Sequence, residues 1–239
     1  MAVYEQWLAH RRLSLEEGRQ TSLEQIGRVF KKDVFPSLRH LTIYEIIRVA
    51  PARVEVIGGT AVAVIRRFDR TDDGGRIPYV SAATMLQSGG RDATHAYTEL
   101  VDVLLQSGAD PIADIHELWR RLVFNFLVCN TDDHLRNTGF LYDARQRGWR
   151  LSPAFDLNPM PGDRRESKTW LTEDTGVIDS RDMLMAAASY FRLDAAQAQA
   201  IWSEVAQAVA GWRAVARGLG MCGTDLLDFE PAFVESTTP

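Results

Sequence analysis

The chain is poor in several things at once. It has two cysteines, Cys129 and Cys222, far apart and in no metal-ligand spacing. That usage speaks against a disulfide framework or a cysteine-rich metal site, and two reduced thiols are the expected state. No apolar stretch approaches the roughly 20 residues that span a bilayer, so no membrane partner is expected. Residues Met1 to Trp7 lack a basic start followed by an apolar run, so no secretory leader is expected and the expected location is cytoplasmic. Neither charge sign dominates: 27 basic against 32 acidic residues give a net charge of -5. That balance offers no electrostatic footprint for direct nucleic-acid binding. The short basic pairs (Arg11-Arg12, Arg66-Arg67, Arg164-Arg165) read as solvated surface. Internal repeats and low-complexity segments are lacking too.

What remains is an ordinary globular composition, 46% apolar and 25% charged over 239 residues, enough for one domain or two small ones. Residues 1–40 have no strong periodicity. Beyond them, Arg53–Ile57 and Thr60–Ile65 are two β-rich runs around Gly58-Gly59, a hairpin signal because glycine tolerates the positive φ of tight turns. A polar loop follows at 71–75. Tyr97, Leu100, Val101, Leu104 and Leu105 then fall on one helical face that ends near Gly108. Asp114 with Glu117 suggests a capping box for the next helix, whose stripe runs Ile115, Leu118, Trp119, Leu122, Val123, Phe126, Leu127. Phe140–Tyr142 and Trp149–Leu151 read as a second hairpin. Asp194 and Gln197 suggest a capping box for a last helix running to Gly220. The stripe of Met183, Met185, Tyr190 and Phe191 reads as core. The tail after Pro231 is expected to fray.

The core helix delivers the chain into Asn130-Thr131-Asp132-Asp133-His134-Leu135-Arg136-Asn137, and Asp156 follows past the second hairpin. Phosphoryl transfer needs this set. One carboxylate orients or deprotonates the attacking hydroxyl, and an amide and a carboxylate hold magnesium on the phosphates. Asp132 is the candidate catalytic residue, with Asn137 and Asp156 as candidate Mg²⁺ ligands. His134 either approaches the transferring phosphoryl group or is a loop histidine bonded to backbone. Asp133 reads as a brace for the loop. A rival reading makes Asp132, Asp133, His134 and Asp156 the ligands of a metal-dependent phosphoesterase. It needs further ligands, and His10, His40, His95 and His116 stand in no compact ligand motif.

Arg67-Phe68-Asp69-Arg70, Leu118 to Asn125, the Asn130–Asn137 segment and Leu151-Ser152-Pro153-Ala154-Phe155-Asp156-Leu157-Asn158-Pro159 resemble the HipA-like family, bacterial serine/threonine kinases that act as toxins of type II toxin–antitoxin systems. The similarity runs from about Arg53 to about Phe233. It implies an α+β, protein-kinase-like fold: a small mixed N-terminal lobe on a mainly helical C-terminal lobe. It implies ATP and Mg²⁺ as cofactors, Asp132 as catalytic aspartate, and Asn137 with Asp156 as metal ligands. By the same resemblance, residues 66–69 are the hinge between lobes. The backbone of Arg66 and Phe68 would meet adenine there, and the Asp69 carboxylate the ribose. Implied partners are a protein substrate, plausibly a translation component, and a DNA-binding antitoxin.

This sequence departs from the family's longer members at the front. Only some 65 residues precede the hinge, and they contain no G-x-G-x-x-G-like loop. Lys31 and Lys32 are the only lysines there, with Arg11, Arg12 and Arg28 as other cations. The expected organisation is an abbreviated N-terminal lobe and hinge over 1–70 and a helical kinase lobe over 71–239. Three expectations follow: a truncated toxin that has become a pseudokinase or partner-binding module, a lobe completed by a separately encoded partner, or an abbreviated lobe in which Lys31 or Lys32 serves the phosphates. An incomplete lobe would leave apolar surface exposed around the Val54–Ile65 hairpin.

Overall fold

The computed structural model describes residues 46–57, 60–88, 94–161, 166–218, 220–221 and 223–233. Lys31, Lys32, the other early cations, Gly58-Gly59, Arg164-Arg165, Cys222 and the final residues from 234 lie outside the described residues. Strands β1 (Ala52–Ile57) and β2 (Thr60–Ile65) pair antiparallel in full register, Ala52 opposite Ile65 and Ile57 opposite Thr60. The alternation of the two runs thus gives the expected hairpin, and Ile57 and Ile65 stand about half exposed on it. The Arg66 N–H extends the ladder onto the Pro51 carbonyl at 2.7 Å.

A second sheet has order β3-β4-β5, all antiparallel: β3 (Tyr79–Ser81), β4 (Gly139–Asp143) and β5 (Gly148–Leu151). The β4–β5 hairpin is the one the sequence indicates. Strand β3, three residues long, carries too short a pattern to read. It runs into the short helix α1 (Ala82–Met85), whose Thr84 N–H is capped by Ser81 Oγ at 3.2 Å.

Helices α2 (Tyr97–Ser107) and α3 (Pro111–Leu127) form the core with helix α5 (Ala195–Ala210), to which α4 (Arg181–Ala186) and a 3-10 turn (Ala188–Phe191) lead. The α3 stripe is buried as its spacing demands, with Ile115, Trp119 and Val123 fully enclosed. Trp119 meets Phe191 with ring centroids 5.1 Å apart. Asp194 and Gln197 make the expected reciprocal cap on α5. The last helix is two helices, however. α5 stops before Gly211, and α6 (Trp212–Gly218) follows it, then α7 (Gly223–Phe229). Glycine at 211 weakens helix propagation, and Trp212 instead stacks flat on Phe233, centroids 3.9 Å apart.

Asp114 requires another correction, because it does not cap α3. Pro111, which lacks an N–H and has φ preset for a helix, starts α3 three residues earlier. Asp114 therefore lies in the first turn, fully buried. Its Oδ1 accepts from Arg48 Nη2 at 2.5 Å and Arg150 Nη2 at 3.2 Å. Its Oδ2 accepts from Arg150 Nε at 2.7 Å and the Leu151 N–H at 2.9 Å. Glu117 Oε1 accepts from the Arg48 N–H at 3.0 Å and from Arg121 Nε at 2.9 Å. Arg121, whose pKa burial lowers while Glu117 opposes the shift, donates onward to the Ser152 carbonyl at 2.8 Å. The paired carboxylates thus join residues 46–50 to 150–154. Backbone bonds finish the join: Ala154 N–H to Arg48 O at 2.7 Å and Ala50 N–H to Ala154 O at 2.8 Å. Asp156 follows two residues later.

Candidate active site

α3 ends at Leu127, and the chain reverses through Cys129 at φ 49°. Asn130 holds the reversal, its N–H on the Asn125 carbonyl at 2.8 Å and its Nδ2 on Asn125 Oδ1 at 3.0 Å. The loop that follows is gripped from two sides. The first N–H groups of α1, from Ala82 and Ala83, donate to the carbonyls of Thr138 (2.8 Å) and Leu135 (3.2 Å). On the other side the buried Asp133 carboxylate accepts from Tyr97 Oη at 2.8 Å, Ser167 Oγ at 2.5 Å and the Lys168 N–H at 2.7 Å. Thr169 Oγ1 donates to the Asp133 carbonyl at 2.7 Å. Burial, reinforced by the Asp133 charge, raises the Tyr97 pKa well above its usual value, so its hydroxyl stays a donor. Asp133 is a brace, with every bond spent on structure.

That bracing leaves its neighbours open. Asp132 and His134 are half-exposed, with His134 Nε2 3.8 Å from Asp132 Oδ1. His134 Nδ1 is buried and has no hydrogen-bond partner among the described residues. The Asn137 side chain donates Nδ2 to the Asp132 carbonyl at 2.8 Å, and its amide oxygen has no partner among the described residues. Asp156 sits at φ 57°, a left-handed conformation that costs a non-glycine residue energy and tends to occur at functional positions. Its Oδ1 accepts from Asn158 Nδ2 at 2.9 Å, and Oδ2 has no partner among the described residues. No hydrogen bond joins Asn137 to Asp156 among the described residues; their segments are aligned by the Ser152 N–H on the Gly139 carbonyl at 2.8 Å. An amide oxygen and a carboxylate oxygen, each uncommitted, suit a hard cation. By contrast, no three His, Cys, Asp or Glu side chains gather into a metal-holding group among the described residues. His95 pairs with Glu99 at 3.1 Å, and His116 bonds the Arg192 carbonyl at 3.3 Å.

Residues 66–69, the expected hinge, lie in a second cluster. The Phe68 ring packs on Phe155, next to Asp156, at 5.6 Å and on Tyr79 at 5.8 Å. Asp69 accepts from Arg67 Nε at 2.8 Å through Oδ1, and from Arg67 Nη2 and Arg70 Nη1, both at 2.6 Å, through Oδ2. The hydrogen bond from Arg67 leads in holding its carboxyl down at about 2. This carboxylate therefore stabilises the folded chain above an unfolded value of about 3.9, and the contribution fades as pH falls through about 2. Arg67→Ala is expected to move the Asp69 titration up towards the ordinary carboxylate range, followed by carbonyl-carbon NMR against pH. Oδ1 keeps a lone pair for a further donor such as a sugar hydroxyl. The Arg66 N–H is spent on Pro51, and its carbonyl accepts no hydrogen bond among the described residues.

One charged group of the site carries no signal in the local sequence. Lys168 Nζ forms an ion pair with Asp132 Oδ1, from 36 residues away along the chain.

Comparison with known proteins fixes the lineage. Residues 38–212 match the HipA-like C-terminal domain. The chain belongs to the HipA-like family. Two Sinorhizobium fredii proteins, "Putative kinase Y4dM" and "Putative kinase Y4mE", are 35% identical over 136 residues and 26% identical over 118. These matches take in 55% and 46% of this chain but 31% and 28% of the relatives, so the matched segments span under a third of the relatives' length. Among solved structures, HipA of Shewanella oneidensis, determined with HipB and operator DNA, superposes with TM-score 0.63 at 15% identity, over 83% of this chain and 53% of that one. The Helicobacter pylori proinflammatory kinase CtkA superposes with TM-score 0.51 at 12% identity, over 87% and 84%. These likenesses establish the kinase-like α+β fold of this HipA-like chain. No helix among its described residues is long and apolar enough to cross a membrane.

Proposed function

We propose that this HipA-like chain is a protein serine/threonine kinase that uses ATP with Mg²⁺, built as a small lobe and hinge over 1–70 on a helical lobe over 71–239. The observation that carries the reading is the Asn137 amide bonded to the Asp132 carbonyl. It ties the base and a metal ligand of this reading into one loop braced by Asp133. In this reading Asp132 receives the proton of a protein hydroxyl while the new oxygen–phosphorus bond forms. The bond from the γ-phosphorus to the bridging oxygen breaks, and ADP leaves with that electron pair. Asn137 Oδ1 and Asp156 would hold Mg²⁺, which supplies charge neutralisation on the phosphates when bound. The Arg66 carbonyl and Phe68 backbone take adenine, and Asp69 takes the ribose. His134, with Nε2 3.8 Å from Asp132 Oδ1, would approach the transferring phosphoryl group. The HipA-like toxin role, with a DNA-binding antitoxin of the HipB kind as partner and a translation component as substrate, belongs to this reading.

Nucleotide binding tests it apart from turnover. Asp156→Asn and Asn137→Ala should each weaken Mg·ATP binding by calorimetry about tenfold or more, in line with the loss of one or two charge-assisted contacts. Their effect on binding of ATP without Mg²⁺ should be small. Equal weakening with and without Mg²⁺ would remove these two residues from metal binding.

A further inference from the structure

Segment 167–169 is fastened to the loop around Asp132 with unusual completeness. Three successive residues bond the one residue Asp133: Ser167 through its hydroxyl, Lys168 through its backbone N–H and Thr169 through its hydroxyl. Ser167 Oγ also lies 2.8 Å from the Thr169 carbonyl, and the Trp170 N–H continues onto the His95 carbonyl at 2.9 Å. The backbone of Lys168 is therefore fixed on the buried face of the loop, while its side chain, about half exposed, comes round to Asp132. Among the described residues only Oδ1 of Asp132 is engaged, by Lys168 Nζ and at longer range by His134 Nε2. Oδ2 has no partner among the described residues. An ammonium bound to one carboxylate oxygen fixes the rotation of the carboxylate and aims the other oxygen.

Resting on the kinase reading above, we infer that Lys168 is a positioning residue for phosphoryl transfer, orienting Asp132 through Oδ1 so that Oδ2 meets the substrate hydroxyl. Its charge then lies within a few hydrogen-bond lengths of the phosphoryl group under attack. The clasp on Asp133 is what holds it there in advance, which is the condition for an electrostatic group to lower a barrier rather than merely bind. The proton of the hydroxyl passes to Oδ2, the oxygen–phosphorus bond forms, and ADP departs with the electrons of the broken bond; Lys168 exchanges no proton in the step. Placing this cation needs a long-range contact, which explains why no catalytic-loop motif announces it.

The test compares Lys168→Met, Lys168→Arg and Asp132→Asn in transfer of labelled γ-phosphate, with melting curves to check folding. Lys168→Met should lower kcat by about 10²- to 10³-fold, the usual cost of one preorganised donor, with KM for ATP changed less than about threefold. Lys168→Arg should recover a substantial part of the loss. A side chain that only supported the fold would change the melting temperature and not divide kcat from KM in this way. A second readout does not depend on turnover. The chain has three lysines, Lys31, Lys32 and Lys168, so a lysine side-chain NMR spectrum is simple. Asp132→Asn should shift one signal, the same one that Lys168→Arg deletes. Wild-type kcat in Lys168→Met, or no lysine signal moved by Asp132→Asn, overturns the inference. An inactive Asp132→Asn beside a fully active Lys168→Met overturns it alone, whereas a fully active Asp132→Asn overturns the kinase reading beneath it.

Discussion

Asp132→Ala is expected to remove phosphoryl transfer almost completely, by at least about a thousandfold in kcat, while the chain stays folded. General-base assistance accounts for roughly 10² to 10⁴ in such reactions, and orientation of the nucleophile is lost with it. The substitution is structurally mild. The Asp132 side chain is about 40% exposed and its described carboxylate contacts are the surface pair with Lys168 and the longer approach of His134. The bonds that shape the loop run through the Asp132 carbonyl and through Asp133, and they survive. Kinetics on purified protein with matched melting curves checks the prediction. Asp133→Ala makes the contrasting control: it should lose activity and stability together, since it strips the partners from Tyr97, Ser167 and the Lys168 N–H.

Asp114→Ala is expected to lower stability by about 3–5 kcal/mol, the range for removing one partner of a buried ion pair. Asp114 is fully enclosed and Arg150 beside it is three-quarters covered, so solvent can replace the bond to the half-exposed Arg48 but reaches those to Arg150 and the Leu151 N–H poorly. The loss leaves the Leu151 N–H unpaired as well. At this chain length that amounts to a fall in melting temperature on the order of 10 °C. A functional consequence should accompany it. The same carboxylate ties Arg48 to β5, and the Arg48 and Ala50 backbones hold Ala154, two residues from Asp156. Mg·ATP binding should therefore weaken in Asp114→Ala even where the protein is fully folded. A urea titration and calorimetry at low temperature separate the two effects.

The parts of this molecule that could be read from its sequence are those whose cause is local. The stripe from Ile115 to Leu127 repeats at helical spacing, and burial follows from it. Asp132 and Asn137 lie five residues apart on one loop, so their relation needs no tertiary knowledge. Both hairpins are alternating runs joined by turn residues. The role of Asp114 was not legible, because an acidic residue near a helix start looks the same whether it bonds its own backbone or a distant arginine. Pro111 was the clue to the true helix start. The break at Gly211 interrupts a stripe that keeps helical spacing, and Trp212 just past it stacks on Phe233, a partner distant in sequence. Lys168 depends on the clasp around Asp133, and nothing near it in sequence points to Asp132. The hinge assignment of Arg66, Phe68 and Asp69 came from family resemblance. To it the structure adds the packing of Phe68 on Phe155 and the guanidinium pair on Asp69.

The central claim is phosphoryl transfer to a protein hydroxyl, and one measurement addresses it most directly. Purified chain is incubated with γ-labelled ATP, Mg²⁺ and a bacterial lysate, and the labelled proteins are hydrolysed for phosphoamino acid analysis. The account predicts label on phosphoserine or phosphothreonine, lost when Mg²⁺ is chelated. Folded chain that binds Mg·ATP yet labels no protein would contradict it and leave a kinase fold used for binding alone.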